Sequence, residues 1–189
     1  DKVQPLIERE RRILVSKSLE RLIAPYRAML AASPNDPGAL LQIASGQRLG
    51  GTALSNPMKS YAQIESLLLK ATPVDGGYLV NGSLPWVSNL GPDHCCGVIA
   101  AVEADGQGLG KEVMFLLRCD APGVTMRDCP SFSAMEGTGT WALHLKDHFV
   151  GAGELIADPA KPTIARIRGA FVMLQCGMAV GVTQGAIDS

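Results

Sequence analysis

The sequence predicts an α+β protein, an antiparallel β-barrel or sandwich middle domain flanked by helices at both ends. Two observations carry this. Apolar residues recur every three or four positions near both termini, as helices require, but in the middle they form short runs broken by glycine-rich turns. The chain is also long enough, at 189 residues of which 47% are hydrophobic, to bury one good core and carry helical additions.

The first region, residues 1–50, reads as the end of a helical domain. Leu6, Ile7, Ile13, Leu14, Leu19, Leu22, Ile23, Tyr26 and Leu30 fall near helical spacing. Pro25 should kink or split that helix, because a proline removes one backbone donor and crowds the preceding turn. After the loop "SPNDPG", Asp36 is placed to cap a short helix that opens at Pro37 and ends near Gly46.

Residues 51–158 form the middle β domain. Its strand-like runs are "ESLLLKATPV", "GGYLVNGSLPWVSN", "HCCGVIAAVEA", "KEVMFLLRC", "GVTMRDC" and "TWALHLKDHFVG". Between two of them, "ADGQGLGK" reads as a hairpin loop. It is no phosphate loop, since its first glycine is misplaced and Glu112 stands where a Ser or Thr is needed.

Residues 159–189 turn helical again after Pro162. Gly169, Gly177, Gly181 and Gly185 allow close approach of another helix or backbone. The stretch "GAFVMLQCGMAVGV" is too short and glycine-rich for a bilayer, which needs about 20 apolar residues. The helix is therefore expected to pack on another subunit or on chain outside these residues.

A net charge of -1 gives no electrostatic reason to expect nucleic acid or an anionic membrane as partner. Five cysteines, an odd count with no CxxC, point to reduced thiols in a cytoplasmic compartment. Consecutive strand residues face opposite ways, so His94, Cys95 and Cys96 do not converge on a metal, and the two thiols are expected in the core. His144 and His148 would lie about 13 Å apart along one strand face, too far to share an ion. No metal site is expected. There is no G-x-S-x-G elbow and no carboxylate pair to act as acid and base.

Two segments are more specific. One is "GQRLGGTALSNP" followed by "VDGGYLVNGSLPWVSN"; the other is "PGVTMRDCPSFSAMEGTGTWALHLKDHFVG". Together they resemble the middle β domain of the acyl-CoA dehydrogenase family of flavoproteins. The matching residues are Ala53 to Pro57, Asp75 to Leu79, Asn81-Gly82, Trp86 to Asn89 and Pro122 to Val124. Thr140, Leu143, Leu145, Asp147 and Val150 complete the set.

The resemblance implies FAD as cofactor and oxidation of a small-molecule substrate, with hydride passing to the flavin. It implies Leu54, Ser55, Trp86 and Ser88 as the cofactor-binding residues. Trp86 would lie against the flavin ring, whose flat face suits an indole, and Ser88 would donate near the reactive nitrogen. Leu54 and Ser55 would lie on a strand that holds the pyrimidine edge. Without the motif, Trp86 reads as a core or barrel-lid residue, and the serines as turn or strand-end hydrogen-bonders. The resemblance further implies a homodimer or homotetramer.

Departures fall where the family handles the CoA thioester and phosphates. The motif glutamate is Asn56, Met58 to Ala62 replace its G-S-D, Leu84-Pro85 replace its lysine, Glu136 its arginine, and Gly151 the proline that closes the domain. They suggest a substrate other than a standard acyl-CoA. One family position for the catalytic base corresponds to Ala165-Arg166, and no acid lies between Asp158 and Asp188, so a base is not expected within residues 1–189. The same fold could instead house a flavin-dependent monooxygenase, which needs no such base, or a non-catalytic remnant without flavin.

Overall fold

The computed structural model describes residues 49–128 and 136–188. The helices expected before residue 49, with Pro25, Asp36 and Pro37, lie outside the described residues, as does Cys129.

Eight strands form one sheet: β1 (Gly50–Thr52), β2 (Lys70–Val74), β3 (Gly77–Val87), β4 (Cys95–Ala104), β5 (Gln107–Arg118), β6 (Val124–Asp128), β7 (Trp141–Gly151) and β8 (Leu155–Ala157). Helix α1 spans Ser55–Tyr61, α2 spans Lys161–Asp188, and a 3-10 turn covers Glu136–Thr138. The strand order is β6-β7-β3-β2-β4-β5-β8, with β1 added beside β4. Most pairs are antiparallel, but β2 and β1 both run parallel to β4. The α+β layout expected from the sequence, a β domain flanked by helix, holds; the sheet is mixed and open at β6 and β8, so it is not closed into a barrel. The parallel contacts arise because β2 joins one antiparallel ribbon, β6-β7-β3-β2, to another, β4-β5-β8.

The inner faces of both ribbons share the main core. From β4, Cys96, Val98, Ala100 and Val102 enter it; from β5, Val113, Phe115 and Leu117; from β3 and β7, Val80, Leu84, Leu143, Leu145 and Val150. The intervening residues Ile99 and Met114 point the other way, into a second cluster with Leu54, Leu67, Ala160 and Ile164 under the two helices. Strand β4 is thus covered on both faces, which explains why "CCGVIAAV" reads as a continuous apolar run rather than an alternation. Cys95 and Cys96 are buried and form no disulfide, as expected.

Two tight turns differ from the sequence reading. The β4–β5 connection is only Asp105-Gly106, both with positive φ (51° and 74°), so the rest of "ADGQGLGK" is strand and not loop. An Asp-Gly pair favours this hairpin geometry. Ser55, expected on a strand, instead opens α1, because β1 ends at Thr52 and the Leu54 carbonyl accepts the first helical bond from the Met58 amide at 2.9 Å.

Helix α2 docks through Ile164, with Ile167 and Phe171 packed against the second cluster. Beyond that point it projects from the sheet. Met173, Val180, Val182 and Ile187 are all exposed, and a side chain placed at Gly169, Gly177, Gly181 or Gly185 would meet nothing within 4 Å. The close approach these glycines permit is not made among the described residues. By length and composition alone the 28-residue helix could cross a membrane, its most apolar window having a mean hydropathy of 1.5. The sequence reading took a shorter stretch as too brief, because it did not anticipate one unbroken helix from Lys161.

Candidate functional site: a tryptophan turned outward by a bulge

Strand β3 carries the site. Its pairing with β7 matches Leu84 to Leu143 and then Val87 to Trp141, so Pro85 and Trp86 together face the single residue Ala142. This is a β-bulge, and bulges re-aim side chains. Proline cannot donate to the ladder, which makes the bulge its natural place in a strand. Leu84 and Val87 stay in the core while Pro85 and Trp86 both turn outward, and Trp86 is 64% exposed. An indole held open on a regular strand is a platform waiting for a flat apolar partner.

Trp86 lines a cavity of about 270 Å³ together with Ser55, Asn56, Lys59, Leu68 and Pro85. Ser55 and Trp86 are thus brought to one cavity. Leu54 is not: its side chain is buried in the second cluster, and its carbonyl is engaged in α1. Ser88 lies at the end of β3, its hydroxyl 2.9 Å from that of Thr140, which in turn lies 2.7 Å from the Thr138 hydroxyl. Main-chain bonds fix this corner. The Asn89 amide donates to the Thr138 carbonyl at 2.8 Å, and the Leu90 amide to Gly139 at 2.9 Å.

Glycines let the corner close. A Cβ on Gly51 would come within 2.5 Å of the Ser88 carbonyl oxygen, and Asn89, at φ 61°, donates from its side chain to the Gly50 carbonyl. The pair "GG" before the "TALS" segment is therefore required for β1 to pass beside Ser88.

Several motif residues prove to be structural. Asn81 bridges a second irregularity in β7 by accepting from the Asp147 amide at 2.8 Å and donating to its carboxylate. Gly82 sits at φ 135°, and any Cβ there would strike the Leu68 carbonyl oxygen at 2.3 Å. Tyr78 donates to Asp158 at 2.6 Å, and Lys111 pairs with the other carboxylate oxygen at 2.9 Å. Burial raises the Tyr78 pKa, and donation to Asp158 adds to the rise.

The sequence reading missed Asn56 as a structural clamp and missed Thr138. Asn56 is buried; its amide donates to the Glu65 carboxylate and the Ser66 carbonyl and accepts from the Leu68 amide. Nearby, burial and the charge of Glu112 push the Tyr61 phenol up to about 12. Among the described residues no cluster of His, Cys, Asp or Glu could hold a metal ion.

No protein-family model matches the chain. Individual proteins do. It is 26% identical over 151 residues to a mitochondrial isovaleryl-CoA dehydrogenase of Oryza sativa subsp. japonica, covering 79% of this chain and 36% of that protein. It is 28% identical over 157 residues to a benzylmalonyl-CoA dehydrogenase of Aromatoleum aromaticum, covering 75% and 37% respectively. In fold it resembles an acyl-CoA dehydrogenase complexed with FAD from Bacillus anthracis, with a TM-score of 0.50 and 24% identity over 62% of this chain and 20% of that one. In sequence the chain is similar to these CoA-ester dehydrogenases, and in fold it is like the acyl-CoA dehydrogenase structure. It spans well under half the length of the curated relatives it matches.

Proposed function

We propose that this chain is the cofactor-binding portion of an FAD-dependent oxidoreductase that oxidises a small organic substrate. The observation that carries the reading is Trp86, turned outward by the bulge and sharing a cavity with Ser55. The residues fit a flavin: the exposed indole offers a stacking face, and Ser55 and Ser88 offer hydroxyl donors. The relatives named above are CoA-ester dehydrogenases and the structural neighbour holds FAD, which supports the choice of cofactor. When bound, FAD supplies a two-electron acceptor. Trp86 would cover one face of the ring, Ser88 would donate a hydrogen bond to its edge, and Ser55 would orient it from α1. Leu54 can contribute only through its main chain.

The substrate is an acyl-CoA or a related ester in which the CoA-side contacts differ. Asn56 supports the difference, since its amide is spent on the 65–68 segment and so is not turned toward a ligand. Ala165 and Arg166 on α2 cannot accept an α-proton at neutral pH, so neither serves as the base.

A homodimer or homotetramer fits the exposed apolar surface of α2 and its unfilled glycines better than a bilayer does. Gln175, mid-helix, would need a hydrogen-bond partner that lipid does not supply but a neighbouring helix can. Among the described residues Cys95, Cys96, Cys119 and Cys176 form no disulfide, which supports a reducing, cytoplasmic setting.

The test is uptake of added FAD by the purified chain, read as a visible flavin band that survives gel filtration. Wild type should retain the band and W86A should lose most of it, while both keep the same far-UV circular dichroism because Trp86 is not in the core. A wild-type chain that takes up no flavin would sink the reading in favour of a non-catalytic scaffold.

A further inference from the structure

Three hydroxyls meet at the end of β3, and their arrangement goes beyond binding. Ser88 Oγ is 2.9 Å from Thr140 Oγ1, and Thr140 Oγ1 is 2.7 Å from Thr138 Oγ1. Each hydroxyl has one proton to give and two lone pairs to accept with. Thr140, in the middle, can donate to only one neighbour at a time. Both contacts can be hydrogen bonds in three ways: in one, Thr138 and Ser88 both donate to Thr140, and in the other two the protons run in series along the row. In one series, Thr138 donates to Thr140, Thr140 donates to Ser88, and the Ser88 proton points away from the row. In the other series, the order reverses and Ser88 spends its proton on Thr140.

We infer that Thr140, backed by Thr138, is a positioning residue that accepts from Thr138 and donates to Ser88, leaving Ser88 as an outward hydrogen-bond donor to a flavin acceptor. The inference rests on the flavin reading above. It also rests on geometry that the reading does not use. The row lies on a bonded backbone: Asn89 and Leu90 donate to the carbonyls of Thr138 and Gly139, and a Cβ on Gly139, which holds φ 55°, would lie 3.3 Å from the Leu90 carbonyl oxygen. With the backbone held by those bonds, the Ser88–Thr140 contact is not needed to keep the segments together. Exposed hydroxyl pairs compete with water and add little to stability. When Thr138 and Thr140 donate in series, the row leaves the Ser88 proton pointing outward, and hydrogen bonds in series polarise one another in the same sense.

The experiment compares wild type, S88A, T140V and T140S, each reconstituted with FAD. The readouts are the flavin dissociation constant, the flavin absorption maximum and the flavin midpoint potential. S88A and T140V should both weaken FAD binding by about fivefold, the loss of one ordinary hydrogen bond. Both should shift the absorption maximum and the potential in the same direction, and T140S, which keeps the hydroxyl, should return all three to wild type. If S88A shifts the flavin while T140V matches wild type, the positioning role is overturned and the flavin reading stands. If T140V shifts it but T140S does not restore it, Thr140 acts through packing and the role is likewise overturned. Wild-type behaviour in both S88A and T140V overturns it too, since Ser88 is then not the donor. A wild type that takes up no FAD removes the flavin reading, and this inference with it. Should T140V fail to fold by circular dichroism, T138V carries the test: a smaller shift in the direction of S88A is expected, and no shift overturns the role.

Discussion

The Asn56 side chain replaces a glutamate of the family motif and makes three hydrogen bonds, to Glu65, Ser66 and the Leu68 amide. Each closes a contact across nine to twelve residues of sequence and anchors the segment leading into β2 against α1. N56A would remove all three bonds and leave the part-buried Leu68 amide without its acceptor, and should cost about 1–2 kcal/mol, read from urea denaturation at neutral pH. An unchanged midpoint would show that solvent replaces the amide. From sequence, Asn56 was visible only as a departure from a motif, because its partners lie in a loop that no periodicity announces. Trp86 was legible as a cofactor candidate only through the motif. Its outward turn depends on which residue of β7 it faces, and register across 55 residues is not written in β3 itself.

Among the elements, β3 and β7 were legible because alternation persists along them, and β4 and α2 because an apolar run does. The three-residue strands β1 and β8 were not, since nothing so short has a period, and their places are set by β4 and β5. Where β3, β5 and the entry to α2 meet, Tyr78, Lys111 and Asp158 form a staple that fixes the helix to the sheet. Burial alone would raise the Asp158 pKa, but hydrogen bonds from Lys111 and Tyr78 outweigh it and hold the carboxyl below its usual value. The hydrogen bond to Asp158 first, with help from Tyr78, raises the Lys111 pKa. A depressed carboxyl contributes stability that is present above its ordinary pKa and lost as pH falls through the lowered one. A raised lysine contributes below its ordinary pKa, and that part is lost only as pH rises through the raised value. Thermal stability should therefore decline on acidification below the ordinary aspartate range, and D158N should flatten that decline when melting is followed from neutral to acid pH. Parallel acid profiles for the two proteins would remove the staple from the account.

For the molecule as a whole, α2 is the open partnership: most of it has no cover among the described residues, and Gly177, Gly181 and Gly185 recur every four residues along one side. Such a row lets a second helix approach closely. Light scattering after size exclusion should give a mass of two or four chains for wild type. G181L, which fills the row, and V182K, which puts a charge on the exposed helix surface, should both move it toward one. A chain that stays in aqueous solution only with detergent would point to lipid as the cover. The sequence suggested a covered helix because its apolar pattern has no polar side, but a pattern that is apolar all round does not say which side meets a partner.

The bulge at Pro85 has a consequence for how the protein could be tuned. Leu84 and Pro85 line the Trp86 cavity, and they also line a second one of about 330 Å³, with Ser83, Arg127, Ala142 and His144. The two spaces therefore meet at Leu84 and Pro85, and Ala142, which lies opposite the bulge, belongs to the second of them. A bulkier side chain at position 142 would press on the bulge from that second space. The tryptophan would feel the pressure through the bulge, so selection could adjust one chamber by redecorating the other.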